Sequence, residues 1–393
     1  MTAIDRGFRI KSVRAVRIAP GGRGYWEGFT GTGAQSRFFF RDGWRTAYPR
    51  QVETAIVRIE LDDGTIGWGE ANAPIAPEVT VLVANALLAP ILEGRGFDDP
   101  RAMWDLLYDA NRGRGHHGSF YLDAVAMIDI ALWDAVAKRA GLPLAALLAG
   151  EPRRHIPSYL SGLRQGSLDE RIATARDWAG RGLEAIKLFF DADTAAGVAE
   201  LGALQAALPE IRRWMVDVLW SFTTLEPAAA AKRAYGELGC GWLECPMLPE
   251  DLEGHRALCA APGAPVALGE HVHARFECER WLAGGAVQVF QPDVGRTGVS
   301  EMLRLLAIAR EAGVKVTPHM GSGLDIFQAA TLHVAAVTDA DLDCEFQAGI
   351  AGRLGDAIDT GWRFEAGGFT LPDRPGIGVV VDEAALQHFV VPA

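Results

Sequence analysis

The chain has 393 residues, 49% of them hydrophobic and 22% charged, the profile of a globular protein with a large core rather than a disordered or fibrous one. Its 38 Lys and Arg against 50 Asp and Glu leave a formal charge of −12, the wrong sign for a phosphate-backbone binder, so no nucleic acid is expected as a partner. No apolar run reaches the ~18 uncharged residues of a bilayer span, and the opening MTAIDRGFRIKSVR has no signal-peptide pattern, so no membrane is expected and a cytoplasmic location is.

At roughly 150 residues per domain the length predicts two or three domains. The first ~150 residues read as a small α+β unit. An alternating strand is expected over residues 10–18, then a Gly-rich loop at 21–34 and the run Phe38, Phe39, Phe40 among Arg37, Arg41 and Arg45. Thr54–Leu61 and Thr65–Glu70 alternate on either side of Asp63-Gly64, a hairpin signal. Residues 77–149 read as helices; Val125, Ile128, Leu132 and Val136 share one face, and Gly141-Leu142-Pro143 stops that helix.

From His155 the texture changes. Short β-rich runs at 156–162, 183–190, 214–220, 241–246, 264–271, 286–293, 314–319 and 342–346 alternate with helical stretches such as 299–312. Eight strand–helix alternations are what a (β/α)8 barrel needs, and the GxGxxG turn that advertises an open doubly wound sheet is missing. The five cysteines, Cys240, Cys245, Cys259, Cys278 and Cys344, show no CxxC spacing, which predicts buried reduced thiols rather than a zinc knuckle or a disulfide framework.

Every run after the first carries an ionisable residue in it or closing it: Lys187, Asp217, Glu244, Glu270, Asp293, His319 and Glu345, at steps of 23 to 30 residues. Such a step places one group per strand toward the carboxyl end, the face where barrel enzymes keep their chemistry. Three carboxylates (Asp217, Glu244, Glu270) at one height on strands ~4.8 Å apart repel one another, and a bound cation relieves that. All-oxygen donors favour a hard divalent ion, Mg²⁺. Asp293 and His319 close the next two strands, so the carboxylate is placed to fix the imidazole tautomer and raise its basicity. The other histidines carry no such constellation and read as surface or packing residues, with His116-His117 in a loop near a lid.

These residues resemble the mandelate racemase branch of the enolase superfamily. The resemblance runs through IDIALWDAVAKRAGLPLAALLAG, the Asp217/Glu244/Glu270 series, QPDVGRTGVSEM with Asp293, VTPHMGSG with His319 and the ending LPDRPGIGVVVD. It implies an α+β capping domain over residues 1–150 with a lid loop at 21–45, a modified (β/α)8 TIM barrel over 151–362, and a C-terminal segment, 363–393, returning to the cap. It also implies one Mg²⁺ per subunit held by Asp217, Glu244 and Glu270, a small-molecule carboxylate substrate, Asp293–His319 as the base, and Glu345 hydrogen-bonded to the substrate carboxylate. The shared first step would be removal of the proton α to that carboxylate. A homo-oligomer is expected.

Two positions depart from the family pattern. Where its racemases carry a second lysine, the base for the opposite face, this chain has Phe189; where an Asn usually follows the first metal ligand by two residues, it has Leu219. With a single evident base, syn β-elimination of water from a sugar acid fits better than racemisation, His319 returning the proton to the leaving hydroxyl. Lys187 would then serve the substrate carboxylate electrostatically. In the lid, Tyr25 and Trp26 would exclude water, while Arg37, Arg41 and Arg45 are not assigned to the site. The alternatives are a racemase, epimerase or cycloisomerase working through the same enediolate, and a non-catalytic sugar-acid binding protein.

Overall fold

The computed structural model describes residues 7–22, 31–32, 37–41, 44–338 and 343–392. Its cap is built on an antiparallel sheet in which β1 (Phe8–Ile18) pairs with β2 (Thr54–Leu61), and β2 with β3 (Ile66–Glu70). The β2–β3 turn passes through Gly64 at φ 85°, a left-handed position that glycine takes without strain. A helical stretch over 77–92, a short helix at Leu144–Ala149 and two longer helices, α1 (Pro100–Arg112) and α2 (Ser119–Arg139), complete the cap. The apolar stripe expected on α2 is there, but burial extends all the way round from Tyr121 to Ala137. That helix is sandwiched between the cap sheet and the barrel, so no face of it stays wet. It lies so close on β3 that a Cβ at Gly69 would stand 1.9 Å from the Met127 carbonyl oxygen.

The barrel strands follow: β4 (His155–Ser161), β5 (Ala185–Phe189), β6 (Arg213–Asp217), β7 (Leu243–Glu244), β8 (Val266–Leu268), β9 (Val289–Phe290), β10 (Lys315–Val316) and β11 (Cys344–Phe346). They pair in parallel from β4 to β10 in chain order, and β11 returns to β4. The ring closes between β10 and β11 through the Thr317 hydroxyl, which donates to the Asp343 carbonyl at 2.6 Å. Helices separate the strands, among them α3 (Val294–Glu311) after β9 and α4 (Asp325–Ala335) after β10. After β11 the chain makes only a 3₁₀ turn at Gly355–Ala357, then a hairpin whose second strand, Gly368–Thr370, pairs antiparallel with β4. Its last residues reach the cap, where Val390–Val391 pair with β1.

Tyr159, Ala185, Met215, Trp242, Ala267 and Val289 pack together as a separate apolar cluster of one residue from each successive barrel strand segment, so the barrel is a plugged core and not a pore. All five cysteines are free thiols, four of them buried. Among the described residues no helix is long and apolar enough to cross a membrane.

Candidate active site

The carboxyl ends of the barrel strands bring the expected ionisable residues together. Asp217 and Glu244 are neighbours in register on β6 and β7, while Asp293 and His319, just past β9 and β10, form a parallel bridge. Lys187, Asp217, Glu270, His319 and Glu345 line one cavity of about 170 Å³. Glu244 and Asp293 stand behind that wall, each in contact with a residue that lines it.

Lys187 is wholly buried among carboxylates. Its ammonium pairs with Glu244 and with Glu345 Oε1 at 2.9 Å, and stands 3.9 Å from Asp217 Oδ2. Burial opposes that charge, but Glu244 and Glu345 raise its pKa well above the ordinary lysine value. That setting of carboxylates favours the charged ammonium. Glu244 Oε2 accepts the Trp242 indole N–H at 2.9 Å and the Gln291 amide at 2.7 Å. Asp217 Oδ1 accepts the Leu219 backbone N–H at 2.8 Å. Burial, then the field of Glu244, pushes the Asp217 carboxyl well up.

Asp217, Glu244 and the Cys245 thiol place donor atoms within 4.8 Å of one another. Two buried carboxylates pushed upward by burial, at least one of them also by its neighbour, are a donor set short of positive charge. That set fits a hard divalent cation. Glu270, the third expected ligand, reaches the same cavity from the loop after β8 but is turned to His319, its Oε2 3.2 Å from Nε2.

His319 Nδ1 lies 2.6 Å from Asp293 Oδ2. Asp293 also caps α3, its Oδ1 accepting the Gly295 N–H at 2.7 Å. Burial lowers the imidazole pKa, but Glu345, the Asp293 hydrogen bond and Glu270 together raise it to about 9. Burial would raise the Glu345 carboxyl, yet Lys187 and His319 hold it at about 2. Its Oε2 accepts the Met320 N–H at 3.0 Å, so this side chain is rigidly placed.

Phe189 lines the cavity from β5, three strands round the ring from His319. Its ring lies against Gly162, where a Cβ would stand 2.6 Å away. Leu219 and Trp220 sit in the left-handed region at φ 53° and 58°, a conformation that Asn tolerates better than Leu. Leucine there adds local strain at the cavity wall. Of the lid, Tyr25 and Trp26 lie outside the described residues; Thr46 to Pro49, just beyond it, do line the cavity. Arg37 is engaged by Glu53 at 2.7 Å and Glu78 at 2.8 Å, and Arg45 is exposed. His116 and His117 are exposed, whereas burial lowers His271 to about 3 and His333 to about 4.

Four residues at the site escaped the sequence reading. Trp242 and Gln291 each lie two residues before a singled-out carboxylate, so the period of two along a strand puts them on its face; that signal was present. Arg296, in the cavity wall 3.6 Å from Asp123 Oδ1, follows Asp293 by three residues. Asn72, from the cap, had no local signal.

A capped barrel that gathers buried carboxylates and an Asp–His pair at the carboxyl ends of its strands has the anatomy of a barrel enzyme. Residues 170–385 match the family model of the enolase C-terminal domain-like fold, and residues 42–149 that of the mandelate racemase / muconate lactonizing enzyme N-terminal domain. The chain is 31% identical over 357 residues to the D-galactarolactone cycloisomerase of Agrobacterium fabrum, covering 86% of this chain and 91% of that one. It is 30% identical over 358 residues to the D-galactonate dehydratase of Verminephrobacter eiseniae, with the same coverage of 86% and 91%. A crystal structure of an enolase superfamily member from Agrobacterium tumefaciens superposes with a TM-score of 0.88 at 30% identity, over 97% of this chain and 99% of that one. The chain is an enzyme, and it belongs to the mandelate racemase/muconate lactonizing enzyme family of the enolase superfamily.

Proposed function

We propose that this enzyme dehydrates a sugar acid, an aldonate or aldarate, to a 2-keto-3-deoxy acid with Mg²⁺ as its cofactor. The observation that carries the reading is the acid–base inventory of the cavity. His319 is oriented by Asp293 at 2.6 Å, Lys187 is favoured as a charged ammonium among Glu244, Glu345 and Asp217, and the other residue that β5 contributes to the wall is Phe189. One base on one face suits elimination, which needs a single group to take a proton and give it back.

Asp217, Glu244 and Glu270 would hold the cation. When bound, it supplies a Lewis acid toward the substrate carboxylate. The chain's own residues do the rest. His319 Nε2 takes the proton α to the carboxylate, and the C–H electron pair moves into the carboxylate to give the enediolate. That pair then returns as the β C–O bond breaks, and the imidazolium gives its proton to the departing hydroxide. Water leaves, and the enol tautomerises to the ketone. Engaging Glu270 with a cation removes one of the fields that keep the imidazole protonated near pH 9. Lys187, through Glu345, holds that side of the cavity in place for the substrate carboxylate.

A second reading, favoured by the D-galactarolactone cycloisomerase relative, keeps the same proton abstraction but expels a lactone ring oxygen, so that no water is lost. The D-galactonate dehydratase relatives support the first. The test is proton NMR in D₂O, with Mg²⁺, of D-galactonate, galactarate and D-galactarolactone. Keto-acid formation from an open-chain acid, with loss of one water by mass and abolished in His319→Asn, is expected. Opening of the lactone alone favours the second reading. Inversion at the α-carbon without elimination would overturn both and require a second base.

A further inference from the structure

Asn72 belongs to the cap, two residues past the end of β3, yet it hydrogen-bonds to the barrel. Its backbone N–H donates to the Gly295 carbonyl at 3.0 Å. Its Nδ2 donates at 2.7 Å to Asp293 Oδ2, the same oxygen that meets His319 Nδ1. The barrel has cleared a slot for it. A Cβ at Gly295 would stand 2.5 Å from the Asn72 nitrogen, and one at Gly321 would stand 2.8 Å from both Asn72 Nδ2 and His319 Cε1.

The orientation of the amide is forced, because an ionised carboxylate only accepts and must face the NH₂ end. Oδ1 is left buried with no hydrogen-bond partner among the described residues, a cost of ~1–3 kcal/mol in similar settings. A buried orphan oxygen kept in order to aim its nitrogen at one carboxylate marks a functional placement.

We propose that Asn72 is a positioning residue for the acid–base pair. With the Gly295 N–H on Oδ1 and Asn72 and His319 on Oδ2, Asp293 is held by three donors in one rotamer, and that rotamer aims the imidazole into the cavity. The inference rests on the role given to His319 above, but its test does not depend on substrate. The Mg²⁺-loaded enzyme, labelled with ¹⁵N-histidine, shows a strongly deshielded Nδ1–H proton for His319, assigned by its loss in Asp293→Asn. Asn72→Leu, branched at the same carbon but larger and without a donor, and Asn72→Ala, which leaves room instead of crowding, both shift that signal upfield or lose it to solvent exchange. On whichever sugar acid turns over, kcat falls by about 10- to 100-fold at little-changed KM. A His319 signal unmoved in both variants overturns the proposal, and its absence from the wild type refutes the fixed pair on which it stands. If no sugar acid loses its α-proton to the wild type, the functional reading fails while the imidazole signal still decides the role of Asn72.

Discussion

Replacing Lys187 by methionine removes the cation that three buried carboxylates share. In a medium of effective dielectric ~20, unit charges at the 2.9 Å separation of Lys187 and Glu345 attract by about 6 kcal/mol, and at the 3.9 Å of Lys187 and Asp217 by about 4 kcal/mol. Most of that gross attraction offsets the desolvation of the charges, so the net loss on deleting the lysine is about 3–5 kcal/mol, the usual cost of stranding a buried partner. The loss has a pH signature. The Glu244 and Asp217 carboxyls are raised in the folded chain by burial and more so without the lysine. Protons held in the folded state and released in the unfolded one make stability fall as pH rises above the ordinary carboxylate range. Glu345, held at about 2 beside Lys187 and His319, loses a stabilisation that is already full at pH 5, so the deficit of Lys187→Met is present at pH 5 and larger at pH 8. A divalent cation supplies the missing positive charge, so the variant gains more from Mg²⁺ than the wild type does. Calorimetry in EDTA and in Mg²⁺, at both pH values, measures this. A variant as stable as the wild type in EDTA at pH 8, or one that gains no more from Mg²⁺, would refute the view that Lys187 neutralises the carboxylate cluster.

His319→Asn is expected to cut kcat by about 10²–10⁴-fold and to stop α-proton exchange, while Mg²⁺ still raises the thermal midpoint; exchange at the wild-type rate would place the base elsewhere. Asp129 on α2 accepts the Ser300 backbone N–H at 2.8 Å and its hydroxyl at 2.6 Å. Asp129→Ala leaves both donors buried and unpaired, and urea unfolding should show a loss of about 2–4 kcal/mol. Glu70 is buried and its carboxyl is pushed by burial to about 7. The folded chain keeps a proton there that the unfolded chain releases near 4, so this group's contribution is full below ~4 and lost as pH rises through about 7. Glu70→Gln should therefore flatten the decline of the thermal midpoint between pH 5 and 7.5, and an unchanged slope would contradict the assignment.

The barrel was legible because its strands are short apolar runs closed by ionisable residues at a nearly constant step, and that step is set by one strand, one helix and two loops. The hairpin at Asp63-Gly64 and the stop after Arg139 were legible for equally local reasons. The eighth strand–helix unit was harder: after Phe346 the chain turns once at Gly355–Ala357 and runs back along β4, a choice made by packing against a distant strand. Lys187 shows the limit at the site. Its place on β5 was readable, but its carboxylate partners lie at residues 217, 244 and 345, so its engagement by three of them at once needed the closed ring. The left-handed turn at Leu219 and Trp220 was unreadable because leucine and tryptophan carry no signal for it.

Asn72 and Glu70 carry the same lesson into function. Asp293 and His319 stand where β9 and β10 end, on the loops that open the barrel's reactive face, and loops are the least rigid parts of a fold. The end of β3 grips both. Glu70 Oε2 accepts the Phe327 N–H at 2.9 Å, placing a carboxyl at the start of α4 where the helix dipole favours negative charge, and Asn72 holds the residue that caps α3. The strand that does this is itself pinned under α2, with glycines at 67 and 69 letting the helix backbone come into contact. A base that must hold its angle through proton transfer is thereby tied to a sheet rather than to a loop. It follows that a substitution loosening the cap at Gly69, far from any substrate, should lower kcat along with stability.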